Sequence, residues 1–203
     1  MKVKTYCFDF DGTIADTVPI ITGTMRGFLK ERKEREDGEK FLQMIRDGGV
    51  EEALEDTNIP RYKLFFLYRE VRKRMEKEIS EAVVKEGMKD VICNLKKDGN
   101  RLGILTSNSQ SNVIGFLKKN DLLVFDFIKE SGLFGKGREL KKLKRKGGIF
   151  IYIGDEVRDI KAGKKAGAIT IAVPWGLGLK KSLSRSGPNV LIEKPVDLLK
   201  LSF

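Results

Sequence analysis

The sequence predicts an α/β fold with a parallel β-sheet, because strand-like and helix-like patterns alternate along most of the chain. Helical patterns separate the strand-like runs, and this alternation favours parallel pairing through right-handed crossovers. At 203 residues, the chain is long enough for one such domain with a modest insertion. Short apolar runs that are typical of buried strands cover residues 3–9, 101–106, 124–128, 149–153, 169–173 and 190–192.

The connection after the first strand is much longer than the others. It contains no strand-like run before residue 85, whereas an ordinary crossover needs far fewer residues. Helical patterns recur within it near residues 20–33, 39–47, 50–56 and 61–79. We therefore expect an inserted helical subdomain at 17–85, an α/β core formed by 1–16 and 86–203, and hinges near 14–17 and 80–87.

The composition excludes several kinds of catalytic site. The chain contains no histidine, which excludes Ser-His-Asp and Cys-His catalysis and any histidine-ligated zinc site. The two cysteines, Cys7 and Cys93, lack metal-site spacing and lie in apolar surroundings, so we expect two buried thiols. Carboxylate, hydroxyl, thiol and lysine chemistry remain.

The formal net charge of +11 does not by itself predict a nucleic-acid partner. Many lysines and arginines alternate with glutamates, as in 30–36 and 69–78, which is typical of solvated helix faces. The basic run at 141–146 has neither interleaved aromatic residues nor a recognisable nucleic-acid-binding motif. Without an apolar run of membrane-spanning length or a secretory signal, we expect a cytoplasmic protein that binds neither nucleic acid nor membrane. A monomer is favoured over a dimer because no large apolar surface stripe is evident.

Two aspartates end the first predicted strand. Because side chains alternate along a strand and Gly12 permits a sharp turn, Asp9 and Asp11 should leave the strand end together. Two neighbouring carboxylates are costly unless a cation or a proton compensates for them. Ligands of open α/β sheets bind at the carboxyl ends of the strands. The pair therefore favours catalysis or metal binding, with a turn whose aspartates cap backbone donors as the alternative.

Two further motifs offer groups that can bind an anion. Thr106, Ser107 and Asn108 end the 101–106 strand, and their hydroxyls and backbone N–H groups can hold an anion, although an N-cap cluster is the alternative. Lys136 lies between two glycines, which allow an unusual turn that aims its ammonium into an acidic site. An ordinary solvated loop lysine is the alternative.

A second acidic motif follows the 149–153 strand. Asp155 and Asp159 are one helical turn apart, and Gly154 permits a close backbone approach. The alternative is that Asp155 caps the helix and Asp159 interacts with its dipole. Three or four carboxylates at one end of the sheet would need a cation, and hard oxygen ligands suit Mg²⁺.

In chain order, these motifs resemble the four motifs of the haloacid dehalogenase superfamily of phosphohydrolases. The resemblance covers residues 1 to about 175 apart from the insert, and it rests on Asp9–Thr13, Thr106, Lys136 and Gly154–Asp159. It implies a Rossmann-like, doubly wound parallel sheet with an all-helical C1 cap. The whole resembles the phosphoglycolate-phosphatase-like branch.

The resemblance also implies a role for each site residue. Asp9 would be the nucleophile that forms an aspartyl-phosphate, and Asp11 would be the general acid and base. Mg²⁺ would be held by Asp9, the Asp11 backbone carbonyl and Asp155, with Asp159 orienting this shell. Whether Glu156 or Asp159 is the second supporting acid is left open. The implied substrate-binding residues are Gly12, Thr13, Thr106, Ser107, Asn108 and Lys136.

The expected function is thus a Mg²⁺-dependent phosphatase that acts on a small phosphorylated metabolite, with phosphoglycolate as the default substrate. A basic residue of the insert, such as Arg26, Arg61 or Arg69, would contact the leaving group. A phosphomutase or phosphotransferase on the same core is the nearest alternative. A phospho-accepting receiver and a non-catalytic binding protein are alternatives from a different class. A receiver normally carries its acceptor aspartate after a middle strand and lacks an insert of this length.

Overall fold

The described part of the chain forms a six-stranded sheet in which every pairing is parallel. The structure, a computed structural model, describes residues 3–31, 35–48, 61–132, 135–144 and 148–203. The strands are β1 (Lys4–Phe8), β2 (Arg101–Thr106), β3 (Phe127–Glu130), β4 (Ile149–Gly154), β5 (Ile169–Ala172) and β6 (Val190–Leu191). Their order across the sheet is β3-β2-β1-β4-β5-β6. The predicted α/β class with a parallel sheet is therefore confirmed.

The strand order fixes where a ligand can bind. From β1 the chain passes to β2 and β3 on one side, and then crosses to β4, β5 and β6 on the other. The topological switch point lies between β1 and β4, and open α/β sheets bind ligands in the crevice beyond the carboxyl ends of such strands. The residues that follow β1 and β4 lie at this crevice.

Helices cover both faces of the sheet, as in Rossmann-like folds. In chain order they are α1 (Val18–Glu31), α2 (Arg35–Gly48), α3 (Arg61–Glu78), α4 (Met88–Lys97), α5 (Gln110–Lys119), α6 (Lys136–Lys144), α7 (Val157–Ala166) and α8 (Lys180–Arg185), with 3₁₀ turns at Ile79–Glu81 and Pro195–Lys200. Because strand side chains alternate, Phe8 joins a core cluster with Phe116 of α5. Its neighbour Cys7 joins another cluster with Leu140 of α6. Both faces of β1 are buried, as expected for a parallel sheet.

Helices α1, α2 and α3 lie between β1 and α4 in the chain and contribute most of a small apolar cluster, which Leu177 after β5 also joins. Met25 of α1, Ile45 of α2 and Leu67 of α3 are buried together. The helical patterns predicted at 20–33, 39–47 and 61–79 correspond to these three helices, whereas the pattern at 50–56 lies outside the described residues. The division into a core and an inserted subdomain with boundaries at 16/17 and 85/86 stays a prediction.

The two predicted hinge segments run side by side. The backbone N–H of Asp16 donates to the Val83 carbonyl (2.9 Å), and the N–H of Lys85 donates to the Ile14 carbonyl (2.8 Å). An antiparallel bridge joins Ala15 to Val84 between these bonds. The chain therefore leaves β1 and returns towards α4 through paired strand-like segments.

Two local predictions from the sequence are wrong. The third strand begins at Phe127 rather than near 124, because the Asp126 carboxylate accepts the Leu102 N–H (2.7 Å) and the preceding residues turn. Cys93 is exposed, whereas Cys7 is buried. The buried face of α4 carries Val91, Ile92 and Leu95, so Cys93 lies on its outer side. None of the described helices is both long and apolar enough to span a membrane.

Candidate active site

Asp9 leaves the end of β1 in a fixed orientation. Its backbone N–H donates to the Ile153 carbonyl of β4 (2.8 Å), which extends the parallel pairing by one residue. Its side chain is almost fully buried, and Oδ1 accepts the backbone N–H of Phe10 (2.8 Å). The sequence predicted a carboxylate at this edge of the sheet, and the structure places Asp9 beside the switch point.

Lys136 lies against Asp9 in the buried interior. Its Nζ donates to Asp9 Oδ2 (2.6 Å) and to Asp159 Oδ1 (2.7 Å). Asp159 Oδ1 also accepts the Tyr152 hydroxyl (3.1 Å), and Asp159 Oδ2 accepts the Glu156 N–H (3.1 Å). Lys136 is 4 % exposed, which contradicts the alternative of a solvated loop lysine. Because both oxygens of Asp159 are engaged, this residue fixes the Lys136 ammonium against Asp9.

Burial and mutual charge set the pKa values of this trio. Burial raises the pKa of Asp9 to about 7, although the Lys136 ammonium opposes the shift. Burial also disfavours the charged form of Lys136, but the Asp159 and Asp9 carboxylates outweigh it and raise the Lys136 pKa. The pKa of Asp159 is lowered because Lys136 and Arg158 outweigh the effect of its burial. The ammonium and the Asp159 carboxylate therefore stay charged, whereas Asp9 gains or loses its proton near neutral pH.

Asp155 follows β4 and is held from two sides. Oδ1 accepts the Thr13 hydroxyl (2.8 Å), and Oδ2 accepts the Leu177 N–H (2.8 Å). Burial, with Asp9 and other nearby carboxylates, raises the Asp155 pKa well above its usual range. Thr13 is fully buried, so its hydroxyl contacts Asp155 and does not face the cavity.

Gly12 allows the turn after β1 to approach Asp155. Its φ is +74°, in the left-handed region. A Cβ at this position would lie 2.4 Å from Asp155 Oδ2. Both the positive φ and the close approach of Asp155 therefore require glycine at this position.

The loop after β2 lies beside Asp11. The Asn108 side-chain amide is 3.2 Å from both Asp11 carboxylate oxygens and donates to them, and the Asn108 backbone N–H donates to the Thr106 hydroxyl (2.9 Å). The N-cap of α5 is Ser109, whose hydroxyl accepts the Asn112 N–H. Capping therefore does not account for Asn108. Burial raises the pKa of Asp11, and the Asn108 amide opposes this shift.

An acidic cluster beside Lys136 has the donor set of a hard cation. Among the described residues, Asp9, Glu156 and Asp159 each place one carboxylate oxygen within 4.8 Å of the others. Glu156 Oε2 is buried and has no hydrogen-bond partner. Carboxylate oxygens suit Mg²⁺, and a cation would satisfy this oxygen. Asp155 is absent from this cluster, but its backbone follows β4 directly and its side chain lines the adjoining cavity.

A cavity of about 840 Å³, counting the solvent at its mouth, lies between these acids and helices α1, α2 and α3. Of the predicted site residues, Thr13, Thr106, Lys136 and Asp159 are buried and do not line it. Those that do line it are Asp9, Asp11, Gly12, Ser107, Asn108 and Asp155. The rest of the lining consists of Val18, Ile21, Met25, Ile45, Leu67, Tyr68, Val71, Arg72, Met75, Glu156, Arg158 and Leu177.

Two of the three basic residues expected to contact the leaving group do not line the cavity. Arg26 and Arg69 are exposed and do not line it, and the Arg61 side chain lies outside the described residues. Sequence reasoning missed Arg72, whose Nη1 lies 3.0 Å from Glu130 Oε1. Tyr68, one turn before Arg72 on α3, also lines the cavity.

Comparison with known proteins identifies the family. The sequence family of the haloacid dehalogenase-like hydrolases matches residues 6–173 of the chain. A phosphoglycolate phosphatase from Synechococcus elongatus is 27% identical over 204 residues, which cover 98% of this chain and 96% of the relative. A pyrophosphatase PpaX from Bacillus mycoides is 26% identical over 215 residues, covering 99% and 97%. The crystal structure of a predicted phosphatase from Clostridium acetobutylicum has the same fold, with a TM-score of 0.80, 23% identity and 98% coverage of both chains. The chain therefore belongs to the haloacid dehalogenase-like hydrolase family.

Proposed function

We propose that this hydrolase is a Mg²⁺-dependent phosphatase that cleaves small phosphate monoesters through an aspartyl-phosphate on Asp9. Its family and the phosphatase names of its relatives make it a phosphoric monoester hydrolase. The observation that carries the proposed mechanism is the meeting of three groups at the end of β1. These are the Lys136-paired carboxylate of Asp9, the Asp11 carboxylate held by Asn108, and a cavity that both carboxylates line.

Asp9 is suited to act as the nucleophile. Hydrogen bonds from Phe10 and Lys136 orient its two oxygens, and an ionised carboxylate can attack phosphorus without a partner base. A bond forms between an Asp9 oxygen and phosphorus as the bond to the leaving oxygen breaks. The buried Lys136 ammonium offsets the negative charge gathered there, and such charge stabilisation is much of what phosphoryl transfer requires.

Asp11 is suited to transfer the protons. Burial raises its pKa, which favours the protonated form that can donate to the leaving oxygen. The resulting carboxylate then accepts a proton from the water that attacks the aspartyl-phosphate. Asn108 contacts both Asp11 oxygens and keeps the group oriented in both steps.

The acidic residues fit a bound Mg²⁺. Asp9, the Asp11 backbone carbonyl and Asp155 would hold it, and Glu156 is the better second acid because its Oε2 has no hydrogen-bond partner. Asp159 is already engaged with Lys136 through Oδ1 and with the Glu156 N–H through Oδ2. When bound, the ion would supply positive charge to the transferring phosphoryl group.

We also propose that residues 17–85 act as a cap over the cavity. The Tyr68 hydroxyl of α3 donates to the Ser107 carbonyl (3.0 Å), and Arg72 of the same helix pairs with Glu130 at the end of β3. These contacts hold α3 against the loops of the sheet, and such a lid excludes water during the first step. The Synechococcus elongatus relative is named for phosphoglycolate, so this ester belongs among the substrates to be tested. We still expect the protein to be a monomer and to be located in the cytoplasm.

The test is hydrolysis of para-nitrophenyl phosphate with Mg²⁺ by the wild-type protein and by Asp9→Asn. We expect turnover only in the wild type, and we expect Asp9→Asn to retain its fold and metal-dependent phosphate binding. Asp11→Asn should also lose most of its activity. Near-wild-type activity of Asp9→Asn would exclude Asp9 as the nucleophile, and activity that survives exhaustive EDTA treatment would remove the metal from the scheme.

A further inference from the structure

The cavity has two chemically different ends. The acids and the β2 loop form one end, and the apolar side chains of the inserted helices form the other. Ile21 and Met25 are one turn apart on α1. Leu67, Val71 and Met75 repeat at one-turn spacing along α3, so they lie on one face of that helix. Together these side chains form an apolar wall of the cavity, beside Tyr68 and Arg72 of the same helix α3, and a leaving group would lie against this wall.

The cations of this lining already have carboxylate partners. Among the described lining residues they are Arg72 and Arg158. Arg72 lies 3.0 Å from Glu130, and it also donates to the Tyr68 hydroxyl (3.3 Å). Arg158 forms an ion pair with Glu156. At the described part of the lining, a carboxylate on the leaving group would compete with Glu130 for Arg72 or with Glu156 for Arg158. The first pair is about a third exposed and is weak, whereas displacing Glu156 from the largely buried second pair is costly.

Resting on the proposed function, we infer that the preferred substrate is a phosphomonoester of an uncharged, mainly apolar alcohol. The apolar wall stabilises such a leaving group, because removing apolar surface from water is favourable. A leaving group with a carboxylate or a second phosphate gains nothing from the wall and loses its hydration. The chain thus differs in substrate chemistry from relatives named for phosphoglycolate and pyrophosphate.

The test compares benzyl phosphate with 4-carboxybenzyl phosphate, since their leaving alcohols have similar reactivity and differ mainly in the distal charge. Phosphoglycolate is the third substrate, and all three are assayed with Mg²⁺. We expect kcat/KM for benzyl phosphate to exceed that for 4-carboxybenzyl phosphate by about tenfold or more. Equal values, or a higher value for 4-carboxybenzyl phosphate or phosphoglycolate, would overturn the inference and leave the proposed function standing. If no phosphomonoester is hydrolysed, the proposed function fails and the inference fails with it.

Variants at Val71 connect the preference to the wall. Val71→Lys adds a cation and should reduce or reverse the preference for benzyl phosphate. The matched control is Val196→Lys, because Val196 is 48% exposed and does not line the cavity, so it should keep the wild-type ratio. If Val71→Lys does not fold, Val71→Ala should lower kcat/KM for benzyl phosphate severalfold and leave methyl phosphate nearly unchanged. A wild-type ratio in a folded Val71→Lys, or equal effects of Val71→Ala on both esters, would contradict the assignment of the wall.

Discussion

Replacing Lys136 with methionine tests the buried charge network beneath the proposed nucleophile. Lys136 and Asp9 are both almost fully buried, and the ammonium also pairs with Asp159. Removing one partner of a buried ion pair costs about 3–5 kcal/mol, because it leaves a buried charge without compensation. We therefore expect Lys136→Met to lower the free energy of unfolding by about this amount in metal-free buffer.

The loss should depend on pH. In the wild type the pKa of Asp9 is about 7, above its unfolded value, so proton uptake favours the folded state and this contribution fades as pH rises to about 7. Without Lys136, which lowers this pKa, the folded pKa of Asp9 moves higher. Above about pH 7, ionisation of Asp9 no longer lowers the free energy of unfolding of the wild type. In the variant it still does, by up to about 1.4 kcal/mol per pH unit, because the pKa of Asp9 is higher there. The deficit should therefore be smaller near pH 6 than near pH 9.

Lys142→Met provides the matched control for this experiment. Lys142 lies on the same helix, α6, and pairs with Glu139 at 2.8 Å, but its side chain is 61% exposed. Such a surface pair contributes at most about 1 kcal/mol. The assay is urea unfolding followed by far-UV circular dichroism in EDTA at several pH values. If Lys136→Met lost no more stability than Lys142→Met at alkaline pH, the buried network would not carry the energy assigned to it.

Two further results are expected. Gly12→Ala should destabilise the fold by at least about 1 kcal/mol more than Gly99→Ala, because both glycines have positive φ but only the Cβ at Gly12 would meet Asp155; equal losses in urea unfolding would contradict this. Mg²⁺ affinity measured by isothermal titration calorimetry should rise as the pH rises through about 7, because Asp9 must lose its proton to bind the ion; an affinity independent of pH would exclude Asp9 as a ligand.

The sequence predicted those parts of the site that depend on local pattern. Asp9 and Asp11 were found because strand alternation and a following glycine can be identified without tertiary information. The lysine at 136 was selected from its flanking glycines and the family resemblance, and its contact with Asp9 across the fold is visible only in the structure.

The missed features depend on contacts between distant segments. The Thr13 hydroxyl donates a hydrogen bond to Asp155, and the Tyr152 hydroxyl donates one to Asp159. Neither pairing has a sequence signal, because each follows from the strand order and the packing of α7 on the sheet. Arg72 was missed for the same reason, since the alternating charges of α3 do not indicate which residue faces the cavity.

The most direct test of the account is to locate the phosphorylated residue. Wild-type protein and Asp11→Asn would be mixed with Mg²⁺ and para-nitrophenyl phosphate, whose leaving group departs without a proton from Asp11. The mixtures would be quenched in acid and reduced with borohydride, which converts an aspartyl-phosphate to homoserine. Peptide mass spectrometry should then find homoserine at position 9, with more of it in Asp11→Asn if hydrolysis of the intermediate is slowed. Homoserine at position 11 or 155 instead, or turnover with no trapped residue in either protein, would contradict the assignment of Asp9 as the nucleophile.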